Sequence, residues 1–203
     1  MKEKRYHHGD LRSKLFKMLM SSVTSESLND FSLREAARVI GVSSAAPYNH
    51  FPHKKSLIEY SINRSRSIFL NYLKQYSFDK VNSKNTLKRL GKSYIEYSYN
   101  NPKIFVFIFS QRINVKEKSS YFCDLKSLFL EAVSFDIQEE KLRKNITMES
   151  AAYSAWSMIH GLAYFIASGE MSSKEKNTID IDELFNKIFS IWVIGVTRPL
   201  AMN

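Results

Sequence analysis

Tyr48, His50 and Lys54 put a phenol, an imidazole and an ammonium into one short stretch of the chain. Each can donate a hydrogen bond to a phosphate oxygen, and the ammonium adds positive charge, so the set suits a sugar-phosphate backbone. Immediately before them stand Ser44, Ala45 and Ala46. Side chains this small let the backbone enter a major groove about 12 Å wide and approach base edges or thymine methyls. The competing account is a helical hairpin in which Tyr48 and Phe51 simply pack and the lysines are solvated. Other chemistry has less to work with. Cys123 is the single cysteine and has no histidine at a motif-like offset. With six glycines in all, the chain has neither a Gly-x-Ser-x-Gly elbow nor a glycine-rich phosphate loop. We therefore expect no catalysis and no cofactor. His7, His8, His50 and His53 are joined by no carboxylate or thiol that would complete a ligand set, so no metal site is expected.

These residues need elements to hold them. "LREAARVI" follows Ser32, which with Glu35 reads as a capping box, and Gly41 stops it. The turn "GVS" is short and contains glycine, the connection that sets two helices at a steep angle: a helix-turn-helix. Ala37 supplies the small side chain where the helices cross, and Val42 is the apolar residue that folds under the turn. Ser43 or Ser44 then caps a very short helix over about 44–50. Pro47 falls at or just beyond its first turn, where amides mostly lack a carbonyl partner anyway. Ahead of this pair, Leu11, Leu15, Met18, Leu19 and Ser22 share one helical face. Behind it, a helix starts near His53 and carries Leu57, Ile58, Ile62, Phe69 and Leu73 into the mid-seventies.

The rest of the pattern is helical too. After the polar stretch "FDKVNSKN" a helix runs to about Tyr99, and "NNP" at Asn100 to Pro102 ends it and opens the next. "IFVFIF", Ile104 to Phe109, has strand-forming residues but no partner strand, so it is expected as a buried helix. Glu117 to Gln138, Met148 to Met171 and Ile181 to Thr197 complete an all-α chain, with "SSKEKN" as the loop before the last helix.

Thirty Lys and Arg against twenty Asp and Glu give a net charge of +10, which favours an anionic partner. Residues 1–55 hold ten basic and five acidic side chains, a net of +5. Lys2, Lys4 and Arg5 fit either a flexible arm along DNA or a solvated tail. A single cysteine and a charged start without an apolar segment point to a cytoplasmic protein. Ser150 to Gly169 carries no Asp, Glu, Lys or Arg over a length that would span a bilayer, but its serines, histidine and glycines make it a poor membrane helix. This helix and Ile188 to Thr197 expose more apolar surface than one small domain covers, which predicts a homodimer through the last two helices.

The quoted residues resemble a known family. "FSLREAARVIGVSSAAPYNHFPHKKSLI", Phe31 to Ile58, is similar to the DNA-binding signature of the TetR family of bacterial transcriptional regulators, and "YHHGDLRSKL" from Tyr6 resembles the start of its first helix. "AWSMIHGLAYF", Ala155 to Phe165, resembles the Trp-x-x-x-His-Gly element of one TetR subgroup. The resemblance implies a three-helix DNA-binding head over 1–55, joined by a long helix to a helical effector-binding and dimerisation domain over 56–203. It implies base or phosphate contact by Arg34, base-edge contact by Ser44, Ala45, Ala46 and Asn49, and backbone contact by Tyr48, His50 and Lys54. The implied function is a sequence-specific regulator of a palindromic double-stranded operator, a repressor released by a small hydrophobic or aromatic effector. Tyr97, Phe105, Phe109, Phe122 and Trp156, with His160, are candidate effector-lining residues. Aromatic stripes at helical spacing usually form core, and that reading stands beside the cavity reading. The alternative function is a helical small-molecule or protein-binding module whose helix-turn-helix is only scaffold.

Overall fold

The computed structural model describes residues 8–77, 85–110, 115–171 and 180–198. The arm at Lys2, Lys4 and Arg5, His7, and the loop "SSKEKN" lie outside the described residues. Among those described, every extended element is helical and the sole β pairing is an isolated antiparallel bridge between Leu142 and Thr197. The contacts divide the chain into two compact units. The first takes residues up to Ser67 together with a segment starting at Phe107, and the second takes Ile68–Val106 and the C-terminal remainder.

In the first unit, α1 (His8–Thr24) buries Leu11, Leu15, Leu19 and Val23, the apolar positions three to four residues apart that define one face. Met18 and Ser22 flank that face, half-buried. Next comes α2 (Leu33–Ile40), which buries Leu33, Ala36 and Ala37. Its end is a Schellman motif: Gly41 takes φ +80°, its N–H reaches the Arg38 carbonyl at 3.2 Å, and the Val42 N–H reaches the Ala37 carbonyl at 3.0 Å. A side chain at position 41 would strain this left-handed backbone, which is why glycine stops the helix here.

Two local expectations are corrected. Ser32 does occupy the N-cap, but its hydroxyl makes no cap hydrogen bond, and the other half of the box is lost as well because the Glu35 carboxylate turns to the Arg38 guanidinium one turn on (Nε to Oε2, 2.9 Å). The third helix is not a helix over 44–50 but a 3-10 turn, Ala46–Asn49, preceded by Ala45 rather than by a capping serine. Pro47 explains the tighter winding. It has no N–H to give, and the turn is held by three-residue bonds from Tyr48 N–H to the Ala45 carbonyl (3.1 Å) and from His50 N–H to the Pro47 carbonyl (3.0 Å). The long α3 (Lys54–Ser77) follows, its first turn closed by His53, whose Nδ1 accepts the Ser56 N–H at 3.0 Å.

The second unit holds α4 (Thr86–Asn100), α6 (Val115–Asp136), α7 (Met148–Ser168) and α8 (Ile181–Val196). α5 (Pro102–Ser110) is the helical form of "IFVFIF" and buries Phe105, Phe107 and Ile108. α4, α6 and α7 pack on one another, and α8 lies against α4. Three of the helix starts, those of α4, α7 and α8, are chemically closed. Asp136 accepts the Thr86 and Leu87 N–H groups at 3.0 and 2.8 Å, Thr147 and Ser150 form a reciprocal box on α7, and Asp180 accepts the Asp182 and Glu183 N–H groups. Small residues on α7, Ala151, Ala152, Ala155 and Ala163, are buried and let its neighbours approach closely. Gly91 does the same on α4, where an added Cβ would lie 2.5 Å from Cζ of Phe185. None of the helices among the described residues is long and apolar enough to cross a membrane.

Candidate nucleic-acid interface and interior aromatic cluster

The turn after Gly41 presents its side chains outward. Ser44, Ala45 and Asn49 are exposed, Ala46 and His50 are half-buried, and Pro47 alone is buried. Phe51 and Tyr48, which the packing account treats alike, part company: Phe51 is 2% exposed and Tyr48 39%. Phe51 belongs to the head's interior, where its ring meets Tyr60 at 5.3 Å and the Arg12 guanidinium lies 4.5 Å from the Tyr60 ring. Tyr48 faces solvent.

Two shallow hollows flank this turn. One is lined by Arg34 and Ser44 with Ser32, Arg38 and Val42; the other by Tyr48 and Lys54 with Phe31 and His53, and Ser32 borders both. Lys54 is not loose: its Nζ donates to the Asn29 carbonyl at 2.9 Å, which holds the ammonium at the edge of the head. The sequence offers no signal for that tether, because Asn29 sits in the 3-10 turn Leu28–Asp30 before α2 and is 25 residues away. Inside the same unit, Arg66 is fully buried and donates through Nε (3.2 Å) and Nη2 (2.9 Å) to the Ile108 carbonyl in the last turn of α5. The guanidinium is a charged donor at the negative end of the helix dipole, where it serves as a side-chain cap.

The interior of the second unit is built around Tyr94, one of the abundant C-terminal aromatics but not one of the candidate effector-lining residues. Its hydroxyl lies 2.9 Å from His160 Nδ1 and receives the Trp156 Nε1–H at 3.5 Å. Indole can only donate, so the Tyr94 oxygen accepts from Trp156 while the same hydroxyl shares a hydrogen bond with His160 Nδ1. Burial lowers the His160 pKa and raises that of Tyr94, so both rings are neutral. Phe105 lies 5.7 Å from both the Tyr94 and the His160 rings, Phe129 stacks on Trp156 at 6.0 Å, and Phe122 meets Trp156 at 5.7 Å. Tyr97 joins through Phe69, 4.7 Å away, and burial pushes its phenol up to about 12. Phe109 is half-buried and belongs to the first unit. The structure thus brings Trp156 and His160 to one hydroxyl, sets Phe105 against the ring that bears it, and adds Phe122 through Trp156. Among the described residues no group of three or more His, Cys, Asp or Glu could hold a metal.

No protein-family profile matches the sequence, and no curated protein matches it. Solved structures do. A protein of unknown function from Rhodococcus sp. RHA1 aligns with a TM-score of 0.77 at 19% identity, covering 97% of this chain and 100% of its own. A regulatory protein of the tetR family from Rhodococcus RHA1 gives a TM-score of 0.68 at 12% identity, with 94% and 98% covered. FadR from Bacillus subtilis, a transcriptional regulator solved with stearoyl-CoA, gives 0.66 at 11% identity, with 90% and 98% covered. At these identities the likeness is one of fold, and the chain has the all-α architecture seen in TetR-family regulators.

Proposed function

We propose that the protein is a homodimeric, sequence-specific DNA-binding transcriptional regulator. In this reading it is a cytoplasmic, non-enzymatic repressor that leaves a palindromic operator when a small hydrophobic or aromatic effector binds. The observation that carries this reading is the outward-facing turn from Ser44 to Asn49, slim at its leading end and flanked by the donors of Arg34, Tyr48 and Lys54. Ser44, Ala45, Ala46 and Asn49 approach base edges, Arg34 reads a base or phosphate, and Tyr48, His50 and Lys54 hold the backbone on either side. With alanine at two reading positions, sequence preference leans on Arg34, Asn49, thymine contacts and DNA shape.

Residues 1–55 form the DNA-binding head in this reading, and 56–203 bind the effector and the second subunit. The dimer face is supplied by α7 and α8. Ile191 and Ile194 are 70% and 68% exposed, Phe165 is exposed, and Gly161 and Gly195 look onto open space. Pairing both helices with their symmetry mates removes this surface from water and spaces the two heads by about 34–36 Å, one DNA turn. The neutral cluster at Tyr94, Trp156 and His160 fits the Trp-x-x-x-His-Gly subgroup and supplies polar tips among aromatic walls for the effector.

The test is binding to duplexes selected from random DNA, followed by anisotropy between about 50 and 200 mM salt. Affinity should fall steeply, and Lys54→Ala should reduce the log–log slope by about 1 while weakening all duplexes alike. Arg34→Ala or Asn49→Ala should cost about 1–3 kcal/mol on the selected site and little elsewhere. Salt-independent binding, or none, would favour the helical binding module in which the helix-turn-helix is scaffold.

A further inference from the structure

A second cleft, separate from the aromatic interior, opens between α4 and the start of α8. It measures about 630 Å³, within the ordinary range of about 300–1,000 Å³ for small-molecule sites. Its floor is apolar: Ile95 and Phe185 are buried beneath it, and Ile181 forms part of the wall. Its lip is not. Among the described residues, Glu96, Asp180 and Asp182 line the cleft against one cation, Lys92, so their formal balance is one positive and three negative groups, or −2.

That sign is the informative part. The chain as a whole carries +10, and a basic surface would ordinarily draw anions. Here the local field runs the other way. Lys92 is spent on Asp182, bridging the cleft at 3.1 Å. Asp180 caps α8, where the helix's positive end of about half a unit partly offsets its carboxylate. Glu96 is exposed on α4, where its carboxylate accepts from the Tyr72 hydroxyl, a neutral partner that leaves its negative charge uncancelled. One turn along α4 the exposed ring of Tyr99 offers a π face beside it.

We infer that this cleft binds an organic cation with an aromatic or branched alkyl body. The body is seated on Ile95 and Phe185, and the positive centre lies between Glu96 and Asp180 against Tyr99. An apolar floor alone would take neutral and charged ligands alike; the carboxylate lip discriminates by sign, since a charge about 5 Å away in a wet site still changes affinity several-fold. An anion of equal size meets the same floor and the wrong potential. This site stands independently of DNA recognition, because none of its residues belongs to the helix-turn-helix.

A matched pair of probes tests it: tetraphenylphosphonium and tetraphenylborate share shape and differ in sign. Isothermal titration of the full chain should show one phosphonium site, with borate at least about tenfold weaker. Glu96→Gln, at an exposed position, should weaken phosphonium about 3- to 10-fold and bring borate closer to it. Tyr99→Leu should also weaken phosphonium, and Glu149→Gln, which pairs with Lys126 elsewhere, should not. Borate binding as well as phosphonium would overturn the inference. So would phosphonium binding that Glu96→Gln leaves unchanged, with circular dichroism showing both proteins folded. A chain that bound phosphonium but no duplex would sink the regulatory reading and leave this one intact.

Discussion

Gly91→Ala should destabilise the protein although alanine is the better helix former. Gly91 lies inside α4, where replacing glycine ordinarily gains about 1 kcal/mol. The new Cβ, however, would lie 2.5 and 2.8 Å from Cζ and Cε2 of Phe185 and 3.0 Å from Cδ1 of Ile159. Carbon atoms pack best at about 3.5–4.0 Å, so the ring must retreat by about 1 Å. Phe185 is among the most completely buried side chains, so its ring moves only at the expense of the contacts that hold it. Overpacking of this kind costs about 1–3 kcal/mol, leaving a net loss of up to about 2 kcal/mol. Urea unfolding at fixed protein concentration measures it, and a Phe185→Leu background supplies the control. With the ring tip gone, Gly91→Ala should become neutral or gain up to about 1 kcal/mol. Equal cost in both backgrounds would refute the argument, because the loss would then come from something other than the ring.

Arg66→Met keeps most of the buried volume but leaves the Ile108 carbonyl without its guanidinium donor; a loss of about 1–3 kcal/mol is expected in thermal or urea unfolding. His160 gives a pH signature. Desolvation holds its folded pKa below the ordinary 6.5, so above that value both states are neutral and the group contributes nothing. As pH falls through 6.5 toward the folded value the unfolded chain takes up the proton first, so stability drops and then levels off. Urea midpoints from pH 8 to 5 should show this drop, and His160→Gln should flatten it. The carboxylates of Glu35 and Glu149, held below their ordinary 4.5 by Arg38 and Lys126, act in a separate and more acid window.

The order of helices was legible because its signals are local: a left-handed stop at Gly41, proline opening the helix at Pro102, and apolar residues spaced three and four apart. What escaped depended on choices between partners. Glu35 had two good ones, an amide one turn back and a guanidinium one turn on, and the charged contact won. The 3-10 winding at Ala46–Asn49 follows from a donor that proline lacks, an effect the helical pattern does not register. The box at Thr147 and Ser150 uses serine where glutamate or glutamine is the usual signal, and so left no mark. Tyr94 has the same helical spacing as its core neighbours; only the rings of α5, α6 and α7 closing around it make its hydroxyl a centre. The cleft was beyond reach for a different reason, since Glu96 and Asp180 are far apart in sequence and meet only because α8 lies back against α4.

The guanidinium on the Ile108 carbonyl has one more implication. Arginine keeps its proton at every pH a cell experiences, so acidification that would unsettle His160 leaves this fastening untouched. Loosening it requires mechanical withdrawal of the carbonyl or a rival acceptor brought into the protein interior. The far end of α5 is therefore anchored by a contact that answers to force and not to acidity.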